Sequence, residues 1–182
     1  MSKMEKFKTL YHSVAVPALV KEFNYKNPHE VPYVKKVVLN IGCGEAVRDS
    51  KLIDYAASEL TAIAAQKAVI TKARDSIANF KLREGMPIGC KVTIRSDRMY
   101  DFLERFIIIA LPRVRNFRGI SKKSFDGNGN LSFGTSDISI FLESNRSGND
   151  KCDLGIDVSV VTSARSDLEA QRLLHHLQFP FY

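Results

Sequence analysis

Gly42, Cys43 and Gly44 stand where a run of branched apolar residues ends, and a glycine turn in that place can present backbone amides to a phosphate group. The pattern goes no further: Val47 occupies the position of a third glycine, and no Lys followed by Ser or Thr completes a phosphate-binding loop. The turn therefore reads as a tight strand-to-helix connection. His12, His29, His175 and His176 lie on the first and last stretches of the sequence, at no spacing to an Asp, Ser or Cys that suggests a base and a nucleophile. His175 and His176 suit the negative end of a helix instead. Cys43, Cys90 and Cys152 are odd in number and far apart, without a CxxC or CxxH pairing, so they read as small buried thiols in a reducing compartment. No catalytic residue, metal ligand or cofactor is assigned.

The cations are the denser signal. The chain holds 27 Lys and Arg against 20 Asp and Glu, a formal charge of +7, which favours an anionic partner such as nucleic acid but does not identify RNA. Between residues 66 and 98 come Lys67, Lys72, Arg74, Lys81, Arg83, Lys91, Arg95 and Arg98, interrupted by Asp75, Glu84 and Asp97, with Phe80 and Gly85 among them. That spacing fits loops and strand faces along a phosphate backbone, and equally a solvated mixed-charge surface. The segment RVRNFRGISKK, from Arg113 to Lys123, is more pointed: Arg113, Arg115, Arg118, Lys122 and Lys123 with no acid, and Phe117 between Asn116 and Arg118. Arginine can fork across two phosphate oxygens or stack on bases, and an aromatic ring can stack too, so this run fits RNA better than solvent.

These residues need elements to hold them. Phe7, Leu10, Tyr11 and Val14 recur at helical spacing, and Pro17 can open a second piece with Ala18, Leu19 and Phe23, which predicts a bent helix or two. VKKVVLNI, residues 34–41, reads as a strand ending at Gly42. Asp49 or Ser50 can cap a helix whose Leu52, Ile53, Ala56, Ala57, Leu60, Ile63 and Ala64 form an apolar stripe. AVITKA is a short strand, and IGCKVTIRS alternates, with Cys90, Val92 and Ile94 on one side and Lys91, Thr93 and Arg95 on the other. Met99, Phe102, Leu103, Phe106, Ile109 and Ala110 trace an amphipathic helix that Pro112 stops near its end. After the turn DGNGN, LSFGTS and ISIFL suggest a hairpin or edge strands, and IDVSVVT a further strand. Ser166 and Glu169 make a capping box before a helix bearing Ala170, Leu173, Leu174 and Leu177, and the apolar FPFY after it is expected to tuck in.

No repeat or linker divides the chain, so a single domain over 1–182 of mixed helices and strands is expected, with an antiparallel or mixed sheet. No run approaches about eighteen apolar residues, and MSKMEKFKTL has no apolar signal core, which argues against membrane insertion and secretion. Glu5 among three Lys and no Arg fits a transit peptide poorly.

The blocks VPYVKKVVLNIGCGEA, TAIAAQKAVITKAR, SIANFKLREGMPIGCKVTIR, MYDFLERFIIIALPRVRNFRGIS and KSFDGNGN, in this order, resemble the signature of the large-subunit ribosomal protein five family, and the match continues to FPF. The resemblance implies an α+β domain, an antiparallel sheet with helices packed on one face and a concave face toward RNA, in a ribosomal scaffold that is not an enzyme, in bacterial cytoplasm, mitochondrion or plastid. It implies 5S rRNA, large-subunit rRNA, the peptidyl-site tRNA, neighbouring 5S-binding proteins and small-subunit ribosomal protein thirteen as partners. Asn40, Gln66 and Thr93 resemble the positions that hydrogen-bond 5S rRNA, and Lys36, Lys67, Lys91 and Arg95 are inferred phosphate contacts around them.

The loop from Ser76 to Gly85, within an arm expected to be mobile near 74–86, resembles the part of the family that reaches tRNA, through Ala78, Asn79, Phe80, Lys81 and Arg83. The sequence departs from the family at Asn79, usually glycine, where a left-handed turn is expected at the loop tip. It departs again at Leu142, usually proline, which opens a divergent loop near 142–154 on the side expected to form an intersubunit bridge. The competing reading is a free regulatory RNA-binding protein, which would stay abundant in ribosome-free fractions.

Overall fold

Prolines shape the helices. The structure, a computed structural model, describes residues 7–47, 51–144 and 154–182. Helix α1 (Phe7–Leu10) runs through a π-helical turn (Tyr11–Ala15) into α2 (Val16–Phe23). Pro17 has no N–H to give, and its ring would press on the carbonyl four residues back. The turn ahead of it is widened, and the Val16 N–H donates to Tyr11 O, five residues back. This moves the buried set to Phe7, Tyr11, Ala15 and Leu19, and Val14, expected inside, is 45% exposed.

The same device recurs after α4 (Ser96–Arg105), where a π turn (Phe106–Ala110) carries the Leu111 N–H to Phe106 O ahead of Pro112. Ile107 is buried there, whereas Ile109, expected on the stripe, is only half-buried. A 3-10 turn (Leu111–Arg113) ends the run and the chain leaves extended at Val114.

The strands are β1 (Val34–Gly42), β2 (Val69–Lys72), β3 (Pro87–Ile94), β4 (Leu131–Thr135) and β5 (Ile156–Thr162). They form one antiparallel sheet in the order β2-β3-β1-β5-β4, and with α2, α3 (Lys51–Ala64), α4 and α5 (Asp167–His176) they make an α+β fold. The contacts cluster into two compact units, each assembled from separate stretches of chain.

The first unit takes the residues up to Val37, then Ile94–Phe133 and Ser159–Tyr182. Its core joins Phe7, Tyr11 and Leu19 to Met99, Phe102, Leu103 and Phe106, with Phe102 stacked on Phe106 at 5.8 Å, and to Ala170, Leu173, Leu174 and Leu177 of α5. Ser166 caps α5 by accepting the Glu169 N–H at 3.4 Å. Glu169 reaches back to the Arg165 N–H at 2.9 Å, one residue ahead of the expected box.

The second unit takes Val38–Thr93 and Gly134–Val158. Leu39, Ile41, Cys90 and Val92 are buried along with the α3 stripe of Ile53, Ala56, Leu60, Ile63 and Ala64, which also buries Glu59. The expected caps of α3, Asp49 and Ser50, lie outside the described residues, as does Cys152. Cys43 and Cys90 are both buried. Burial, and secondarily the neighbouring Cys43, pushes the Cys90 thiol up to about 12.

ISIFL is not a strand. Its Ile138–Ile140 is a 3-10 turn, because the Asp137 carboxylate accepts both the Ser139 N–H, at 2.8 Å, and the Ser139 hydroxyl, at 2.7 Å. An Asp side chain that bonds the backbone two residues on offers the chain a turn in place of a sheet ladder.

Candidate nucleic-acid interface

In the second unit the turn between α3 and β2 carries Gln66 and Lys67. It is locked by Thr61, whose hydroxyl donates to Ala57 O at 2.6 Å and accepts the Ala68 N–H at 3.0 Å, while Ala65 takes a positive φ of 50°. Gln66 Nε2 in turn donates to Thr93 O at 3.3 Å, which sets the exposed Gln66 beside the end of β3. Along β3 Cys90, Val92 and Ile94 are buried on one side, leaving Lys91 exposed and Thr93 half-buried on the other, as the alternation predicts, and Gly89 on that second side is buried as well. On β1 Leu39 and Ile41 are buried and Asn40 is exposed. Asn40, Gln66, Lys67, Lys91 and Thr93 thus all present polar groups on adjoining elements of this unit.

The antiparallel register adds residues that the sequence did not single out. Val69 pairs with Lys91 and Thr71 with Gly89, so Val69 and Thr71 share the side of Lys91, and Val69 is 59% exposed. VITK has no alternation of polar and apolar types, so only the pairing reveals this. Gly89 lies where a Cβ would come within 2.7 Å of Ile41 O, and its bare backbone lets β3 lie close to β1.

The arm between β2 and β3 is a tight structure of its own. Ile77 and Leu82 exchange backbone bonds at 3.0 and 3.1 Å, the Glu84 N–H donates to Ser76 Oγ at 2.9 Å, and the Arg83 N–H points at Met86 Sδ at 3.2 Å. Ala78, Asn79 and Phe80 form a 3-10 turn. The left-handed residue is Lys81, at φ 55°, not Asn79 as expected, because the chain reverses just after the third residue of that turn. Ala78, Asn79, Phe80, Lys81 and Arg83 are all exposed, Phe80 by 68%.

Lys36, Arg95 and the cations of residues 113–123 belong to the first unit. Lys36 is half-buried on β1, and Arg95 is exposed in extended backbone just before α4. Arg113, Arg115, Arg118, Lys122 and Lys123 are all exposed, on a loop whose Asn116 is left-handed at φ 53°. Phe117, read as a stacking ring for bases, is half-buried and meets Phe133 edge-on at 6.4 Å, so it anchors the loop. No helix among the described residues is long and apolar enough to cross a membrane.

Two family models match the chain in sequence order. Residues 27–83 match Ribosomal protein L5, and residues 87–181 match the C-terminus of the same ribosomal family. The first span holds the Gln66 turn and the arm, and the second runs from β3 through the cationic loop to α5. Matched over most of its length by the two halves of one family, the chain belongs to the ribosomal protein L5 family and is a structural, non-enzymatic constituent of the ribosome.

Proposed function

We propose that the chain binds 5S rRNA through the exposed polar side of β3 and its neighbours in the second unit. The observation that carries this reading is the Gln66 to Thr93 bond, which holds an amide against the strand whose polar side carries both Lys91 and Thr93. Amides and hydroxyls can read base edges and sugar hydroxyls, and the flanking Lys67 and Lys91 suit phosphates. In the same reading the arm, with exposed Phe80, Lys81 and Arg83, meets the peptidyl-site tRNA. Arg113, Arg115, Arg118, Lys122 and Lys123, together with Lys36 and Arg95, meet rRNA phosphates. Neighbouring 5S-binding proteins and a bridge to small-subunit ribosomal protein thirteen complete the assignment, with Leu142 exposed on the described edge of the divergent loop.

Equilibrium binding to isolated 5S rRNA tests it. Thr93→Val and Asn40→Ala each weaken binding by about three- to tenfold, the worth of one lost hydrogen bond. Lys91→Gln lowers the slope of log affinity against log salt by about 1. Equal affinity for an unrelated RNA hairpin of the same length would overturn the specific claim.

A further inference from the structure

We infer that the segment Phe179–Tyr182 is a clasp that fixes the backbone of the cationic loop 113–123 and so positions its five charges for RNA phosphates, an inference that rests on reading this loop as an RNA contact. The loop's own bonds are short-range. The Val114 N–H donates to Leu111 O at 3.1 Å, Phe117 to Val114 O at 3.3 Å, Lys123 to Ser121 Oγ at 3.2 Å and Ser124 to Ser121 O at 3.0 Å. Such turns shape the chain locally but leave its direction free.

The clasp supplies the long-range bonds. The Ile120 N–H donates to Pro180 O at 2.7 Å, and the Tyr182 N–H donates to Ile120 O at 3.2 Å, so Ile120 and Phe181 pair as neighbouring strands do. Gly119 is built for this approach. Its φ is +111°, and a Cβ there would stand 3.0 Å from Pro180 O and 3.1 Å from Tyr182 Cδ1. The Phe181 ring lies 5.8 Å from Phe125, just beyond the loop, and 6.2 Å from Phe179, which is buried. The loop is thus held at its centre, with Arg113, Arg115 and Arg118 before the clasp and Lys122 and Lys123 after it.

Ordering the backbone that carries these side chains before RNA arrives removes part of the entropy cost of binding, while the number of charges is untouched. Loss of the clasp should therefore weaken binding without changing how many counterions are released. The experiment compares the parent with a variant lacking residues 180–182, which keeps Phe179 in the core, with Gly119→Ala, and with the triple substitution of Arg113, Arg115 and Arg118 by Gln. Binding to a 5S rRNA transcript and to a large-subunit rRNA transcript is measured at several salt concentrations, alongside thermal unfolding and amide exchange at Ile120.

The truncated chain, still folded, is expected to bind one of the two RNAs roughly tenfold more weakly with an unchanged salt slope, and its Ile120 amide to exchange faster. The RNA that responds identifies which transcript the loop contacts. Gly119→Ala should move both readings the same way, and it decides the matter if the truncation unfolds. The triple variant should lower the salt slope by about 2 to 3. Parent-like binding of the folded clasp variants, or a salt slope that falls with their affinity, overturns the clasp. A triple variant with parent-like affinity and slope for both RNAs overturns the RNA reading of the loop, and the clasp's role with it.

Discussion

Lys81 spends its backbone in the left-handed region, where an L residue with a long side chain is strained, and it does so on an exposed arm. Lys81→Gly should therefore raise stability by about 0.5–1 kcal/mol in denaturant unfolding, whereas Asn79→Gly, in the 3-10 turn, should not. If the Asn79 variant is the stabilised one, the assignment of the turn is wrong. Gly89 is the opposite case, a residue whose missing Cβ makes room for the Ile41 carbonyl. Gly89→Ala should cost roughly 1–3 kcal/mol by crowding, read as a shift of the denaturant midpoint at constant slope. Neither residue's role is written in its neighbours in sequence. Lys81 follows from where the turn closes, and Gly89 from how closely β1 approaches β3.

At the scale of elements the informative departures are the two π turns. A uniform helical period puts Val14 and Ile109 inside; one widened turn before each proline rotates everything ahead of it, and Ala15 and Ile107 are buried instead. Val14→Ser should then change stability by less than about 0.5 kcal/mol, while Leu19→Ala should cost about 2–5 kcal/mol, both by thermal or urea unfolding. A large loss at Val14 would restore the uniform helix. The stripes of α3 and α5 and the alternation of β3 were legible because nothing interrupts their periods. ISIFL was misread because two carboxylate bonds from Asp137 outweigh a run of β-formers. The alternation of β3 places Lys91 and Thr93 on one polar side, whereas Asn40, on β1, enters only through the family resemblance, and Val69 and Thr71 were hidden because register is a property of two strands.

For the molecule as a whole, burial of acidic protons makes stability fall on the alkaline side. The Tyr11 hydroxyl is raised from 10.0 to about 12, chiefly by burial and then by Tyr100 and Tyr33, and the Cys90 thiol from 9.0 to about 12. At lower pH both groups are protonated in folded and unfolded chains alike, and the stabilisation is complete. As pH rises past 9 for the thiol and 10 for the phenol, the unfolded chain ionises first, and the advantage is lost progressively up to about 12. Urea midpoints should accordingly drop between about pH 8 and about pH 11, and Cys90→Ala should remove the earliest part of the fall; midpoints that stay flat would refute the assignment. The sequence by itself determined the charge and the apolar stripes, because each rests on residue types and periods along one chain, and its ordered blocks carried the family and the α+β class which that resemblance implies. Only the tertiary structure decided that Gln66 bonds Thr93, that Phe117 packs on Phe133 and that Ile120 is held by Pro180 and Tyr182, because each depends on chain segments brought together by folding.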